Sequence, residues 1–219
     1  MPLEQYKDIV ATACSVTTIA QAFAPVFMLI EIVKTGHTHN HDSTPFVGGL
    51  VMCTLMLKHG LIMNDPVMLQ VNVFTIVLNV IYFAVFYAYT INRKNLHLQV
   101  AKAAGFVSII LGYAYVEASE NLEHRFGLIV TVFMFALLSA PLLGIKEIVK
   151  KEDASSLPFP MILSGTVVTF LWFLYGFIIQ NLFIQFQNIA AFTLCSTQLT
   201  LCILFPGSKT KKKKDVKKQ

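Results

Sequence analysis

Charge is what this sequence has least of. Only 13% of its 219 residues are Asp, Glu, Lys or Arg, against 55% that are hydrophobic, and the mean hydropathy is +0.64. That is too apolar for an ordinary soluble domain of this length. Cysteine is scarce as well. Cys14, Cys53, Cys195 and Cys202 all fall inside apolar runs, where they read as small packing residues and not as a redox framework. Cys195 and Cys202 stand about 10 Å apart along one helix, too far to bridge. The opening "MPLEQYKD" lacks a basic leader, and no A-x-A cleavage site follows the first run, so that run is expected to stay as a span. There is no membrane-embedded acid, nucleophile–base pair or metal cluster, which argues against an enzyme and against any cofactor. Strand alternation is missing too, and lipid offers an open strand no partners for its backbone.

What is present is a series of apolar runs, each long enough at about 1.5 Å per residue to cross about 30 Å of hydrocarbon. Seven are found, near 9–32, 44–63, 67–91, 101–118, 126–149, 158–178 and 182–205. The expected class is an all-α membrane protein with seven transmembrane helices.

The net charge of +5 is concentrated at one end. The tail "GSKTKKKKDVKKQ" holds seven of the seventeen basic residues and one of the twelve acids, which leaves the rest of the chain about neutral. A polylysine tail after a last span predicts a cytoplasmic carboxyl terminus and, with seven spans, an external amino terminus. The loops agree. Lys34, Arg93 with Lys94, and Lys150 with Lys151 fall on the cytoplasmic side, and Glu117, Glu120 and Glu123 fall outside. The tail reads first as a topology anchor, and second as a segment for anionic lipid or a trafficking adaptor.

An internal repeat organises the chain. "APVFMLIEIVK" (24–34) resembles "APLLGIKEIVK" (140–150), pairing Pro25 with Pro141 and Glu31 with Glu147 at a shift of 116. The same shift pairs Gly60 with Gly176 and Asn72 with Asn188, while "TPF" (44–46) answers "LPF" (157–159) at 113. The expected domains are a first three-helix repeat (1–91), a linker helix with its loops (92–125), a second repeat (126–205) and the basic tail (206–219). One intervening span makes the repeats parallel, related by an axis along the membrane normal.

These features resemble the SWEET sugar transporters. The resemblance covers nearly the whole chain except the tail and rests on the 3+1+3 organisation, on Pro25, Pro45, Pro141 and Pro158, and on "LWFLYG" (171–176) followed by Asn181 and Asn188. The family pattern is W-x-x-Y-G, then an acidic residue, then an Asn in the third helix. The second repeat matches at Trp172, Tyr175, Gly176 and Asn188 but has Asn181 where Asp is usual. The first departs further: Met56 stands at the Trp position and His59 at the Tyr position, while Asp65 and Asn72 match. The resemblance implies facilitated, bidirectional sugar transport by alternating access, homo-oligomers, and residence in the plasma or Golgi membrane. An outer gate would fall at His59, Asp65, Tyr175 and Asn181.

Depth can be reasoned from the residues alone. Asn188 lies about 9 Å in from the start of its helix, and Trp172 about 9 Å from the end of the preceding one. Asn72 and Met56 obey the same arithmetic in the first repeat. Two amides, an indole and a thioether in one uncharged layer suit a neutral polyol: a carboxamide holds adjacent hydroxyls, and an aromatic face covers a sugar ring's C–H surface. The expected substrate-binding residues are therefore Asn72, Asn188, Trp172 and Met56. A single intramembrane Asn is otherwise interhelical glue, and Asn79, whose repeat counterpart is Cys195, is assigned to packing.

Symporters need a titratable group in the membrane. Here Glu31 and Glu147 lie at helix ends, expected to sit beside Lys34, Lys146 and Lys150, so uniport is the expectation. Pro25, Pro45, Pro141 and Pro158 are expected inner-gate hinges, although Pro45 and Pro158 also suit helix starts, and Pro160 is an alternative partner for Pro45. A His59–Asp65 pair would make outer gating pH-sensitive. The run "GHTHNHD" (36–42) invites a zinc reading, but a solvated loop at the repeat's three-residue insertion fits better. Two alternatives remain: a carrier of another small solute, and a non-transporting cargo receptor of the PQ-loop type. A nucleic-acid partner is not expected.

Overall fold

In a computed structural model, residues 4–39 and 41–206 are described; the expected basic tail lies, from 207 onward, outside them. The described residues form a short 3-10 turn and eight α-helices, with no strand among them: α1 (Lys7–Ala22), α2 (Val26–Thr35), α3 (Thr44–Ile62), α4 (Pro66–Ala88), α5 (Lys94–Val116), α6 (Ser119–Lys151), α7 (Phe159–Ile178) and α8 (Leu182–Leu204). α1 and α2 together make one apolar stretch, so seven are long and apolar enough to span a membrane, the pattern of a multi-pass membrane protein. Two helices begin earlier than the apolar runs suggest: α5 at Lys94 and not 101, and α6 at Ser119 and not 126. Hydropathy marks the hydrocarbon slab, whereas a helix continues into the interface as long as its polar side chains are solvated.

The chain divides into two compact units, Thr18–Val130 and Met1–Thr17 with Thr131–Gln219. In the first, α3 pairs with α4 and packs on α5, while α2 packs on α4. Leu29, Ile32, Phe46, Tyr82, Phe86 and Leu96 are its core, with Phe46 against Phe86 at a ring separation of 5.4 Å. In the second, α7 pairs with α8. Ile148, Ala154 and Leu201 form a smaller cluster, where the Ala154 N–H donates to Phe205 O at 3.0 Å. Many large apolar side chains, such as Phe27, Ile109 and Val132, remain exposed, as lipid-facing residues do. In such a medium the helices gain from close packing and interhelical hydrogen bonds, not from hydrophobic transfer.

The two helical hairpins turn identical corners. At the end of α3, Asn64 adopts φ 52°, its N–H reaches Leu61 O at 3.3 Å, and the next N–H, of Asp65, reaches Gly60 O at 2.9 Å. This is a Schellman C-cap. Asp65 then caps α4, its carboxylate accepting from the Met68 N–H at 2.9 Å. At the end of α7, Gln180 has φ 58°; its N–H and that of Asn181 bond Phe177 O and Gly176 O at 3.3 and 2.9 Å. Asn181 Oδ1 accepts from Ile184 N–H at 3.0 Å. Gly60 and Gly176 let the helices touch here: a Cβ at Gly60 would fall 3.0 Å from Met68 Cβ, and one at Gly176 2.8 Å from Ile184 Cγ2.

The first spans of the two repeats differ. Residues 23–25 form a turn that separates α1 from α2, with Pro25 as the N-cap of α2. The Val26 N–H bonds Phe23 O, which leaves Ala22 O without its usual i+4 donor. The buried Tyr82 hydroxyl supplies one at 3.0 Å. Pro141, its repeat counterpart, lies inside the uninterrupted α6. Pro45 is the second residue of α3, the place that Pro160 holds in α7, whereas Pro158 is the α7 N-cap. By helical position, Pro160 is thus the partner of Pro45.

Candidate functional site

The four residues expected at substrate are set on helices by local bonds. Asn72 is half-buried on α4 and donates from Nδ2 to Met68 O at 2.8 Å; Asn188 is buried on α8 and donates from Nδ2 to Ile184 O at 2.9 Å. One N–H of each amide is thereby spent on the preceding turn. The carbonyl oxygen and the second N–H keep the mixed donor and acceptor character that a hydroxyl needs. Each amide also hangs from the residue whose N–H is capped at the corner, Met68 by Asp65 and Ile184 by Asn181. Corner and amide are one rigid device, built twice.

Trp172 is half-buried on α7 and meets Tyr175 edge-on, with ring centroids 5.6 Å apart at 89°. That geometry helps to fix the indole, such a pair typically contributing about 0.5–1.5 kcal/mol. In the first repeat Met56 is half-buried, and His59, fully buried, tilts against Phe126 with ring centroids 6.2 Å apart.

Asn79 donates to Thr75 O at 2.9 Å, and its Oδ1 lies where a Gly49 Cβ would come within 2.9 Å. It is in close contact with α3 through a glycine.

Three features differ from the sequence reading or were missed by it. Glu31 and Glu147 do not pair with Lys34, Lys146 or Lys150: Glu31 Oε2 lies 4.0 Å from His41 Nε2, and Glu147 bonds Lys151 at 3.2 Å. One helical turn favours the i,i+4 lysine for Glu147, and the loop folds back toward Glu31. Second, the layer expected to be uncharged has a charge at its level, because Lys58 is half-buried on α3 two residues from Met56. A two-residue step turns it to the other side of the helix from Met56. Third, Gln187 is fully buried and donates to Thr131 Oγ1 of α6 at 2.7 Å. A glutamine beside Asn188 in an apolar span was the available signal. Its counterpart in the first repeat is Val71, also buried.

In the histidine loop, the His37 and His39 rings meet edge-on at 5.4 Å. Among the described residues no three His, Cys, Asp or Glu side chains are grouped to hold a metal ion. Between α5 and α6, Glu117 accepts from Tyr113 Oη and pairs with Arg125 Nη1 at 2.9 Å. These bonds, Tyr113 first and Arg125 after it, hold the Glu117 carboxyl below its ordinary range.

Residues 8–94 and 124–210 match the family described as sugar efflux transporters for intercellular exchange, two segments that bracket the linker helix. The chain is similar to the sugar transporter SWEET1 of Drosophila pseudoobscura pseudoobscura, 26% identical over 205 residues that cover 91% of this chain and 89% of the relative. It is also similar to the bidirectional sugar transporter SWEET10 of Arabidopsis thaliana, 26% identical over 90% of this chain and 70% of the relative. A solved eukaryotic SWEET transporter, 22% identical, superposes with a TM-score of 0.77 over 94% of this chain and 99% of its own. The fold is therefore that of a SWEET transporter. With two matched segments spanning most of its length, the chain belongs to the family of sugar efflux transporters for intercellular exchange, which are transporters and not enzymes.

Proposed function

We propose that the protein is a facilitative, bidirectional sugar carrier working by alternating access. Asn72 and Asn188, with Trp172 and Met56, contact the sugar. Pro25, Pro45, Pro141 and Pro158 provide the inner hinges, and His59, Asp65, Tyr175 and Asn181 form the outer gate. The observation that carries the reading is the pair of amides held by the same bond at the same distance behind two identical corners, 2.8 Å from Asn72 to Met68 O and 2.9 Å from Asn188 to Ile184 O. Apolar helix packing has no need to repeat a carboxamide at one place in both halves, whereas a ligand covered with hydroxyls uses both. The names of the relatives supply the substrate class. The repeats correspond to 1–91 and 126–205, with 92–125 as the linker. The basic carboxyl tail faces the cytoplasm and the amino terminus the outside or lumen, in the plasma or Golgi membrane, and the carrier assembles as a homo-oligomer.

Tracer flux of glucose and other sugars in proteoliposomes tests this. The wild-type protein should equilibrate at least one sugar in both directions without an ion gradient. Asn72→Ala and Asn188→Ala should each reduce flux at least tenfold while remaining folded. Absence of any sugar flux through folded wild-type protein would refute the transport reading, and unchanged flux in both variants would refute the site.

A further inference from the structure

A cleft lies wholly within the Thr18–Val130 unit. α3, α4 and α5 border this open cleft of about 240 Å³, walled by Val47, Val51, Phe83, Val100, Ala104 and Val107. Its floor toward the α4–α5 connection is strutted by polar bonds from α3 to α5, Ser43 Oγ to Gln99 Oε1 and Gln99 Nε2 to Thr44 Oγ1. Small residues make the opening: Ala103 and Ala104 of α5 leave room that a longer side chain would fill.

A chain of ring contacts links the wall of the cleft to a basic group at the start of α5. Phe83 on its wall contacts Tyr87 one turn on, with ring centroids 6.2 Å apart. The His97 ring stacks on Tyr87 at 5.7 Å, with Nε2 3.1 Å from the Tyr87 hydroxyl. The Arg93 guanidinium lies 4.3 Å over the same ring, and Arg93 Nε donates to Thr90 O. Along α5 and its N-cap, the positions 93, 97, 100, 104 and 107 fall at steps of three and four, one continuous face. Arg93 and His97 are thus at the foot of the stripe that lines the cleft. Lys94 adds a second cation in the first turn, where the helix dipole also favours an anion. Among the described residues no carboxylate pairs with Arg93, Lys94 or Lys102.

We propose that this is a binding site for an anionic glycerophospholipid of the surrounding leaflet, one acyl chain in the cleft and the phosphate on Arg93 and Lys94. The Tyr87 ring and the Thr90 carbonyl hold the guanidinium in place, and a planar fork fixed beforehand loses less freedom when it binds phosphate. Basic residues at the membrane edge attract anionic headgroups, and here the adjoining cleft has the chemistry to retain a chain. The site is independent of sugar transport and stands or falls without it.

The test uses the full-length purified protein equilibrated with an equal mixture of phosphatidylserine and phosphatidylcholine bearing the same chains, with retained lipid counted by native mass spectrometry. The wild-type protein should retain phosphatidylserine in preference to phosphatidylcholine, and the preference should shrink as salt is raised. Arg93→Gln with Lys94→Gln should cut phosphatidylserine retention about tenfold. Ala104→Phe, which fills the cleft and keeps the charges, should displace phosphatidylserine as well. Equal retention of the two lipids by the wild-type protein overturns the proposal and needs no variant to fold. Full retention by folded Ala104→Phe overturns it too, because binding would then be surface electrostatics alone, as does full retention by the folded double variant.

Discussion

The two first spans of the repeats share a proline and handle it in different ways, while the two hairpins behind them share almost everything. At Pro25 the helix is interrupted, Val26 bonds Phe23 O, and Tyr82 covers the freed Ala22 carbonyl. At Pro141 the helix runs on. By contrast, Asn64–Asp65 and Gln180–Asn181 superimpose in role down to the same backbone bonds at 3.3 and 2.9 Å. The corners depend only on local geometry: a left-handed residue, a capping oxygen and a glycine at the contact. The proline's outcome depends on what another helix offers the freed carbonyl, and a tyrosine is available at position 82 where the second repeat has Gln198.

The largest expected effect separates the two prolines. Pro141→Ala restores a backbone donor inside a continuous helix and should raise the unfolding free energy by up to about 3 kcal/mol. Pro25→Ala should gain much less, because the bonding at the break is already rearranged. Thermal unfolding in detergent checks both, and equal gains would erase the contrast. Next come the corner glycines. Gly176→Ala drives a Cβ to 2.8 Å from Ile184 Cγ2 and 3.1 Å from the backbone N of Gln185, which should destabilise by about 1–3 kcal/mol. Gly60→Ala meets Met68 Cβ at 3.0 Å and Leu69 Cδ2 at 3.3 Å, with the nearest backbone atom, Leu69 N, at an ordinary contact distance of 3.5 Å. Its smaller loss should be largely offset by helix propensity, which favours Ala by about 1 kcal/mol. A larger loss at Gly60 would reverse the assigned order.

The smallest effect is a control outside both repeats. The Glu117 carboxyl is held low, first by the bond from Tyr113 and then by Arg125. Its contribution to stability is therefore present above the ordinary carboxylate value of about 4.3 and lost as pH falls through its lowered folded value. Glu117→Gln should flatten this acid limb of the stability curve while leaving the neutral-pH comparison between the repeats unchanged. A persistent limb in the variant would assign the loss elsewhere.

The seven spans were legible because hydrocarbon thickness fixes their length, and the repeat because one shift linked Pro25, Gly60 and Asn72 to Pro141, Gly176 and Asn188. Helix ends were less so at α5 and α6, since Lys94 and Ser119 lie outside the slab that hydropathy measures. The pairing of Pro45 was ambiguous because three prolines compete at two helix starts. It takes the first helical residues, Thr44 and Phe159, to match Pro45 with Pro160. The bond partners of Glu31, and of Gln187 across to Thr131, depend on how a loop or a distant helix returns, which a linear pattern does not encode. At the candidate site, the amides were visible as polar residues in apolar runs, whereas the bonds that hold them to Met68 and Ile184 follow from helix geometry and needed coordinates.

The corner between α3 and α4 has a kinematic consequence. A capped, glycine-tight elbow with a left-handed residue at its apex has few soft torsions, so a push on α3 is delivered to α4 without loss of angle. At residues 23–25, by contrast, the backbone ladder of the first span is open, and the Tyr82 phenol ties the freed Ala22 carbonyl to α4.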